Sequence, residues 1–366
     1  MTFLAIAIIF TAIVLVHELG HFWAARRAGI HVIEFSIGMG PRLLHFTKDE
    51  TMYSLKIFPI GGSCLMKGLD EEADDPRSFS SKSVGWRILV ISGGAIMNFV
   101  LAFVIATVMA LFTSSHDATV RSFSAISPMQ EAGMQVGDRI VRINNSTVNI
   151  YGDFFLEMAR ADGSPVDLVV ERGGQRHNFT ITPHYMGERF ILGFHPGTVV
   201  GSFFAETITA PDGTVLHVNE LEWARRAGFF ESLGNGFNNM IFSIRTVIFG
   251  LGQLITGGMG AGDIMGPIGI VTVVGDQVEQ SLDAGGGMAA FWSILGFTYL
   301  LSANLGVINL LPIPALDGGR LIFLFLEAIR RKPISPEKEG VVHFAGFVLL
   351  MALVAFVAYS DIMRLL

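Results

Sequence analysis

Apolar residues gather in four long runs, residues 2–25, 88–112, 289–311 and 341–359. Each is long enough to cross a bilayer as a helix. Between the second and third runs the pattern changes. Residues 124–149 (S-A-I-S-P-M-Q-E-A-G-M-Q-V-G-D-R-I-V-R-I-N-N-S-T-V-N) predict a short helix ended by Gly133, a turn at Gly137-Asp138 and a strand over 139–143. Residues 166–170 and 177–181 flank Arg172-Gly173-Gly174-Gln175 as a hairpin. Residues 219–230 and 237–254 read as amphipathic helices on the outer membrane surface, and Arg245 in the middle of the second argues against a fifth span. The glycines at 257–262 and 285–287 read as joints. After the first run, residues 32–44 and 52–66 hold strand-like stretches broken by Gly38, Gly40-Pro41, Pro59 and Gly61-Gly62. They are apolar for a loop, which fits a hairpin dipping into the membrane beside protein.

The expected fold class is therefore a polytopic α-helical membrane protein with four transmembrane helices, a membrane-associated β-hairpin region and an inserted β-rich module. Its divisions fall at 1–25, 26–87, 88–112, 113–200 (module core 116–186), 201–288, 289–311, 312–340 and 341–366.

Composition agrees. The 366 residues are 51% hydrophobic and only 16% charged, where a soluble chain carries about a quarter charged. The mean hydropathy is +0.53. A net charge of −7 and the lack of a basic block exclude nucleic acid as a partner and leave the lipid bilayer. Cys64 is the only cysteine, which rules out an internal disulfide and a cysteine-based metal site. Lys and Arg number nine in residues 26–87, five in 312–340 and ten in the much longer 113–288. By the positive-inside rule the two dense loops are cytoplasmic, and the termini and the module face outward. No basic residue precedes the first run, and it ends in Arg26-Arg27 instead of a small-residue cleavage site, so it does not read as a signal peptide.

The first run contains His17-Glu18-Leu19-Gly20-His21. On a helix the two histidines share a face and can hold one zinc ion, with Glu18 beside them as general base. At a rise of about 1.5 Å per residue they lie roughly 14 and 8 Å below Arg26. An ionised group at that depth costs about 2.5–3.5 kcal/mol, and structural zinc, at about 10–16 kcal/mol, more than offsets it. A third ligand must come from elsewhere. Asp317 is the candidate, because Pro312 and Pro314 turn the chain after the third run and can aim it back. His343 competes, without a companion motif. Asn304 and Asn309 lie on the last turns of the third run, and Gly93-Gly94-Ala95-Ile96-Met97-Asn98 in the second suits close helix contact plus one buried amide bond.

Residues 124–181 resemble a PDZ domain, whose helix ends in A-G-(L/M)-x-x-G-D and whose strand ends in I-N; such domains bind peptides or chain ends by strand addition. H-E-L-G-H, G-G-x-x-x-N and N-x-x-x-x-N-L-L-P-I-P-x-L-D-G-G together look like the site-2 protease family of intramembrane zinc metalloproteases. The match is to its bacterial branch that includes the sigma-E-activating protease, here with one PDZ module instead of two. The resemblance implies one Zn²⁺ per chain held by His17, His21 and Asp317, with Glu18 as base. It implies Asn309, with Asn304 and the strand glycines Gly61 and Gly62, as substrate contacts, and Asn98, Pro312 and Pro314 as structural. It further implies the bacterial inner membrane, an active site near the cytoplasmic side, and single-span protein substrates such as anti-sigma factors or signal-peptide remnants, with access restricted by the PDZ module. An inactive PDZ scaffold would need neither Glu18 nor Asp317. A metal transporter would show repeated halves, and no internal repeat is visible.

Overall fold

The computed structural model describes residues 2–365 except 70–74, 188, 204–206, 210–214, 218–223, 259–265 and 333. In chain order its elements begin with α1 (Thr2–Arg27), β1 (Val32–Lys48), β2 (Thr51–Met66) and α2 (Val84–Phe112). There follow β3 (Ser114–Phe123), α3 (Pro128–Glu131), β4 (Arg139–Ile143), β5 (Ser146–Thr147), α4 (Tyr151–Met158), β6 (Val166–Arg172) and β7 (Gln175–Ile181). Next come β8 (His184–Tyr185), β9 (Phe190–Ile191), β10 (Phe194–Val200), β11 (Thr207–Thr209), β12 (Val215–His217) and β13 (Ala224–Arg226). The chain ends in α5 (Phe229–Thr256), α6 (Pro267–Leu310), α7 (Asp317–Arg330) and α8 (Pro336–Leu365). These divide into two compact units, Met1–Ala102 with Val247–Leu366, and Phe103–Thr246.

In the first unit α1 ends because the chain closes a Schellman turn. Ile30 N–H donates to Ala25 O and Gly29 N–H to Arg26 O, with Gly29 at φ +67. Arg26 and Arg27 in the last turn complement the helix dipole. α1 meets α2 almost backbone to backbone at Gly20 and Gly93, where a Cβ on Gly93 would fall 2.7 Å from Gly20 O. Ser302 on α6 donates to Asn98 O on α2 at 2.8 Å. β1 and β2 bend, so that residues 34–37 have partners on both sides, Leu65 to Gly62 along one and Met52 to Leu55 along the other. Buried Glu34 fastens the bend through a two-pronged contact from Arg42 at 3.0 and 3.1 Å. Beneath the sheet, Ala25, Ile30, Val32, Phe35, Cys64, Met66, Val90, Ile91 and Leu321 form one apolar cluster. The outer turns of β1 and β2 instead expose Met39, Leu43, Leu44, Phe46, Ile57 and Phe58.

In the second unit the sheet order is β13-β10-β3-β4-β6-β7, and its core includes Val120, Met129, Ile140, Ile143, Leu168 and Val170. Gly173 and Gly174, both at positive φ, make the tight turn between β6 and β7. A groove of about 610 Å³ runs along α4, lined by Tyr151, Phe154 and Met158 on one side and Phe190, Leu192 and Phe194 on the other.

The structure changes several readings. Among the described residues five helices are long and apolar enough to span, against the four expected, because α5 also qualifies. Residues 224–226, read as helix, form β13 parallel to β10, while 219–223 lie outside the described residues. The stretch 312–340, read as a loop, contains α7, whose Leu321 and Leu324 are buried. Gly286 is a joint of a sharper kind than expected. At φ 66 and ψ −160 it breaks α6, and Ser281 Oγ lies 2.6 Å from Ser293 Oγ. On a straight helix twelve residues would separate them by about 18 Å. The chain therefore doubles back.

Candidate metal centre

His17 and His21 are four residues apart on α1 and their rings meet edge to face, with Nε2 atoms 3.1 Å apart. Asp317, the first residue of α7, brings Oδ2 to 3.2 Å from His17 Nε2 and 3.4 Å from His21 Nε2. Among the described residues this is the one group of three or more His, Cys, Asp or Glu side chains close enough to share an ion. The donor set fits zinc. Bonds of about 2.0–2.1 Å in a tetrahedron give ligand-to-ligand edges of about 3.3–3.4 Å, the spacing seen here. Among the described residues the buried Asp317 Oδ2 has no hydrogen-bond partner, so three lone-pair atoms converge on one point, the arrangement a cation site requires.

The far side of each ring shows how the donors are prepared. His21 Nδ1 lies 2.8 Å from Val90 O, a carbonyl that only accepts, so Nδ1 carries the proton and Nε2 keeps its lone pair. His17 Nδ1 faces two amides, Asn98 Nδ2 at 3.2 Å and Asn309 Nδ2 at 3.5 Å. Asn98 is fully buried and, among the described residues, its Oδ1 has no partner. Turning that amide over brings its oxygen to His17 Nδ1–H and frees Nε2 in the same way.

Gly94 on α2 walls the site. A Cβ there would fall 2.5 Å from His21 Nε2 and 2.6 Å from His17 Nε2, so any side chain would fill the space in front of both donors. Glu18, one residue from His17, leans on β2. A Cβ built on Gly62 would come within 3.3 Å of Glu18 Cγ, and the Cys64 backbone amide faces its carboxylate.

The remaining candidates separate. Gly62 touches Glu18, whereas Gly61, at φ +83, has Met39 as its neighbour. Asn309 lies at the back of His17, and the buried Asn304 Oδ1 has no partner. Pro312 and Pro314 sit in the turn before Asp317. His343, the competing ligand, is outside the cluster: its Nδ1 accepts the Ala315 N–H at 2.9 Å. Sequence reasoning missed Val90, because a backbone carbonyl has no residue signature, and it read Gly94 only as a helix contact.

The profile of peptidase family M50 matches residues 5–353. The chain belongs to that family. An M50 relative from Clostridium acetobutylicum, described as a zinc metalloprotease, is 34% identical over 96% of this chain and 95% of its own length. Zinc metalloprotease RasP of Shouchella clausii is 30% identical over 100% of this chain and 99% of its own length. The regulator of sigma-W protease RasP of Bacillus subtilis is 28% identical over the same shares. As a site-2-type M50 peptidase the chain is a zinc metalloprotease with several apolar helices of membrane-spanning length, and Zn²⁺ is its cofactor.

Proposed function

We propose that this M50 protease hydrolyses peptide bonds within or beside the transmembrane segments of single-span proteins, with His17, His21 and Asp317 holding zinc and Glu18 as general base. The observation that carries this reading is the cluster's location: its two histidines lie inside an apolar helix, with Glu18 against Gly62 of a strand whose neighbours expose apolar side chains. When bound, zinc lowers the pKa of a water and polarises the scissile carbonyl. Glu18 takes the proton from the attacking water and delivers it to the leaving nitrogen. Val90 O and the Asn98 amide hold the two imidazoles in one tautomer. A helical substrate hides its carbonyls in internal hydrogen bonds, so a stretch must unwind, and pairing with the β2 backbone near Gly62 replaces what it loses.

Four helices span in this reading. Arg245, in the middle of α5, makes ion pairs with Asp153 at 2.6 Å and Glu157 at 3.3 Å on α4, which favours α5 as a partner of the sheet module over a fifth span. The Lys and Arg density of residues 26–87 and 312–340 supports a cytoplasmic side for both, with the zinc near them and the termini and the module outside. The module acts as a PDZ-type filter whose groove takes peptide or substrate ends. The resemblance to the regulator of sigma-W protease of Bacillus subtilis supports anti-sigma factors as a substrate class, beside signal-peptide remnants.

Zinc content and cleavage of a single-span substrate, measured on Asp317→Ala and Asn309→Ala, test the assignment. Asp317→Ala is expected to lose zinc and activity together. Asn309→Ala, whose amide stands farther from His17 Nδ1 than that of Asn98, is expected to keep zinc and slow cleavage by about 5- to 150-fold, and a zinc loss as large as that of Asn98→Ala would instead assign Asn309 to orienting His17. Full zinc in Asp317→Ala would remove Asp317 from the ligand set.

A further inference from the structure

Asp317 opens α7, and the turn before it decides where its carboxylate points. That turn is held by α8. The backbone N–H of Ala315, two residues before Asp317, donates to His343 Nδ1 at 2.9 Å. Ala315 sits at φ +78, in the left-handed region that a residue with a Cβ rarely adopts without an outside constraint. One turn further along α8, Gly346 lets the helix approach the same turn, where a Cβ would fall 2.7 Å from Pro314 O. On the other side Gly319 of α7 packs so closely that a Cβ would lie 2.6 Å from Ile313 O.

The chemistry of His343 follows from its partner. A backbone N–H can only donate, so Nδ1 presents a lone pair and the ring proton rests on Nε2. Among the described residues Nε2 is buried without a hydrogen-bond partner, and Glu339 Oε1 lies 3.7 Å from it. Phe323 of α7 lies against the ring with centroids 5.8 Å apart. The imidazole is thus packed between α7 and α8 with one polar contact in use, and that contact goes to the strained residue beside Asp317.

We propose that His343 is a positioning residue for Asp317. By accepting the Ala315 N–H it holds the turn at positive φ and so fixes the direction from which the carboxylate meets His17 and His21. Without that acceptor Ala315 relaxes toward the right-handed region, and α7 begins with Asp317 turned away from the histidines. The proposal rests on the reading of Asp317 as the third zinc ligand, and its test separates the two.

The test is zinc affinity of the full chain in detergent, by competition with a chromophoric chelator. The variants are His343→Ala, His343→Asn, His343→Gln, Asp317→Ala and the double variant His343→Ala with Asp317→Ala. Asparagine carries its amide oxygen where Nδ1 stands, whereas glutamine carries polar atoms one bond further out, near Nε2. His343→Ala and His343→Gln should bind zinc about 10- to 100-fold more weakly, the usual cost of losing a group that orients a ligand, while His343→Asn stays within about threefold of the unmodified chain. In the double variant, His343→Ala should add nothing to the loss from Asp317→Ala, because its effect runs through that carboxylate. If His343→Asn binds as weakly as His343→Gln, or if His343→Ala weakens zinc by the same factor with and without Asp317, His343 is a packing residue and the proposal is overturned. Should alanine destabilise the fold, the asparagine and glutamine variants decide the matter. Wild-type affinity in Asp317→Ala would instead remove the ligand assignment beneath both.

Discussion

Asp138 and Asp153 of the sheet unit and the half-buried Asp317 of the helical unit meet opposite kinds of partner, while Glu34 of the helical unit, held by Arg42 at 3.0 and 3.1 Å, follows the first kind. In the sheet unit Asp138 is closed off by Arg172 at 2.6 and 2.7 Å, and Asp153 by Arg245 at 2.6 Å. In the helical unit Asp317 meets two imidazole nitrogens at 3.2 and 3.4 Å and leaves Oδ2 without a hydrogen bond. A carboxylate saturated by a guanidinium fork has nothing left to offer a ligand and serves the fold. In the proposed reading, one that converges with two imidazole nitrogens serves to hold a cation. The partners of a carboxylate, more than the unit it lies in, set its role.

The sharpest way to break the contrast is to fill the space in front of the converging donors. Gly94→Ala places a methyl group 2.5 Å from His21 Nε2. The expected loss of zinc affinity exceeds the roughly 100-fold typical of changes behind the ligands, and cleavage falls with it. Equilibrium dialysis against zinc checks this, and near-normal binding would mean that the site lies elsewhere.

Asn98→Ala acts from behind. It removes the amide facing His17 Nδ1 at 3.2 Å and is expected to weaken zinc by about 10- to 100-fold while leaving His21 held by Val90 O. Chelator competition measures it, and an unchanged affinity would reduce Asn98 to a helix-packing residue.

Arg172→Ala should leave the chemistry alone. It strands Asp138, which has no exposed surface, and destabilises the sheet unit. Zinc content and cleavage of an already trimmed substrate stay unchanged, while amide exchange at Ile140 and Val170 accelerates. Burial alone would raise the Asp138 pKa, but the Arg172 fork and the Gln135 N–H outweigh it and hold the group below its ordinary 3.8. A depressed carboxylate contributes stability that is fully present above 3.8 and lost as pH falls through the folded value. Exchange in the unmodified sheet should therefore quicken below about pH 4, and Arg172→Ala should flatten that dependence.

How much of this the sequence discloses depends on how local each feature is. The His17–His21 spacing, the α1 stop at Arg26-Arg27 and the β6–β7 turn are set by neighbours within a few residues, and all were legible. The fold of α6 was not. Its N-terminus is capped by Asp361, which accepts from Gly266 N–H at 3.1 Å and Gly269 N–H at 2.9 Å from more than 90 residues away. α7 was hidden by Pro312, Pro314 and two adjacent glycines, which read as a loop. The glycines are required by close packing against Ile313 and Leu310, which only the folded chain reveals. β13 shows the same limit, since residues 224–226 carry a helical composition and become a strand only because β10 offers a free edge. Within the site, the Asp317 contact was anticipated from two prolines, whereas the tautomer locks at Val90 and Asn98 depend on the α1–α2 approach at Gly20 and Gly93.

In the proposed reading Glu18 and its neighbours cut a peptide bond at membrane depth. The most direct measurement is mass-spectrometric mapping of the fragments that a single-span substrate yields in liposomes containing either the unmodified chain or Glu18→Gln, both loaded with zinc. New chain ends are expected inside the apolar segment with the unmodified chain, formed about 10²- to 10⁴-fold more slowly with Glu18→Gln. Identical fragments at identical rates from both, or ends only in the soluble flanks, would contradict it.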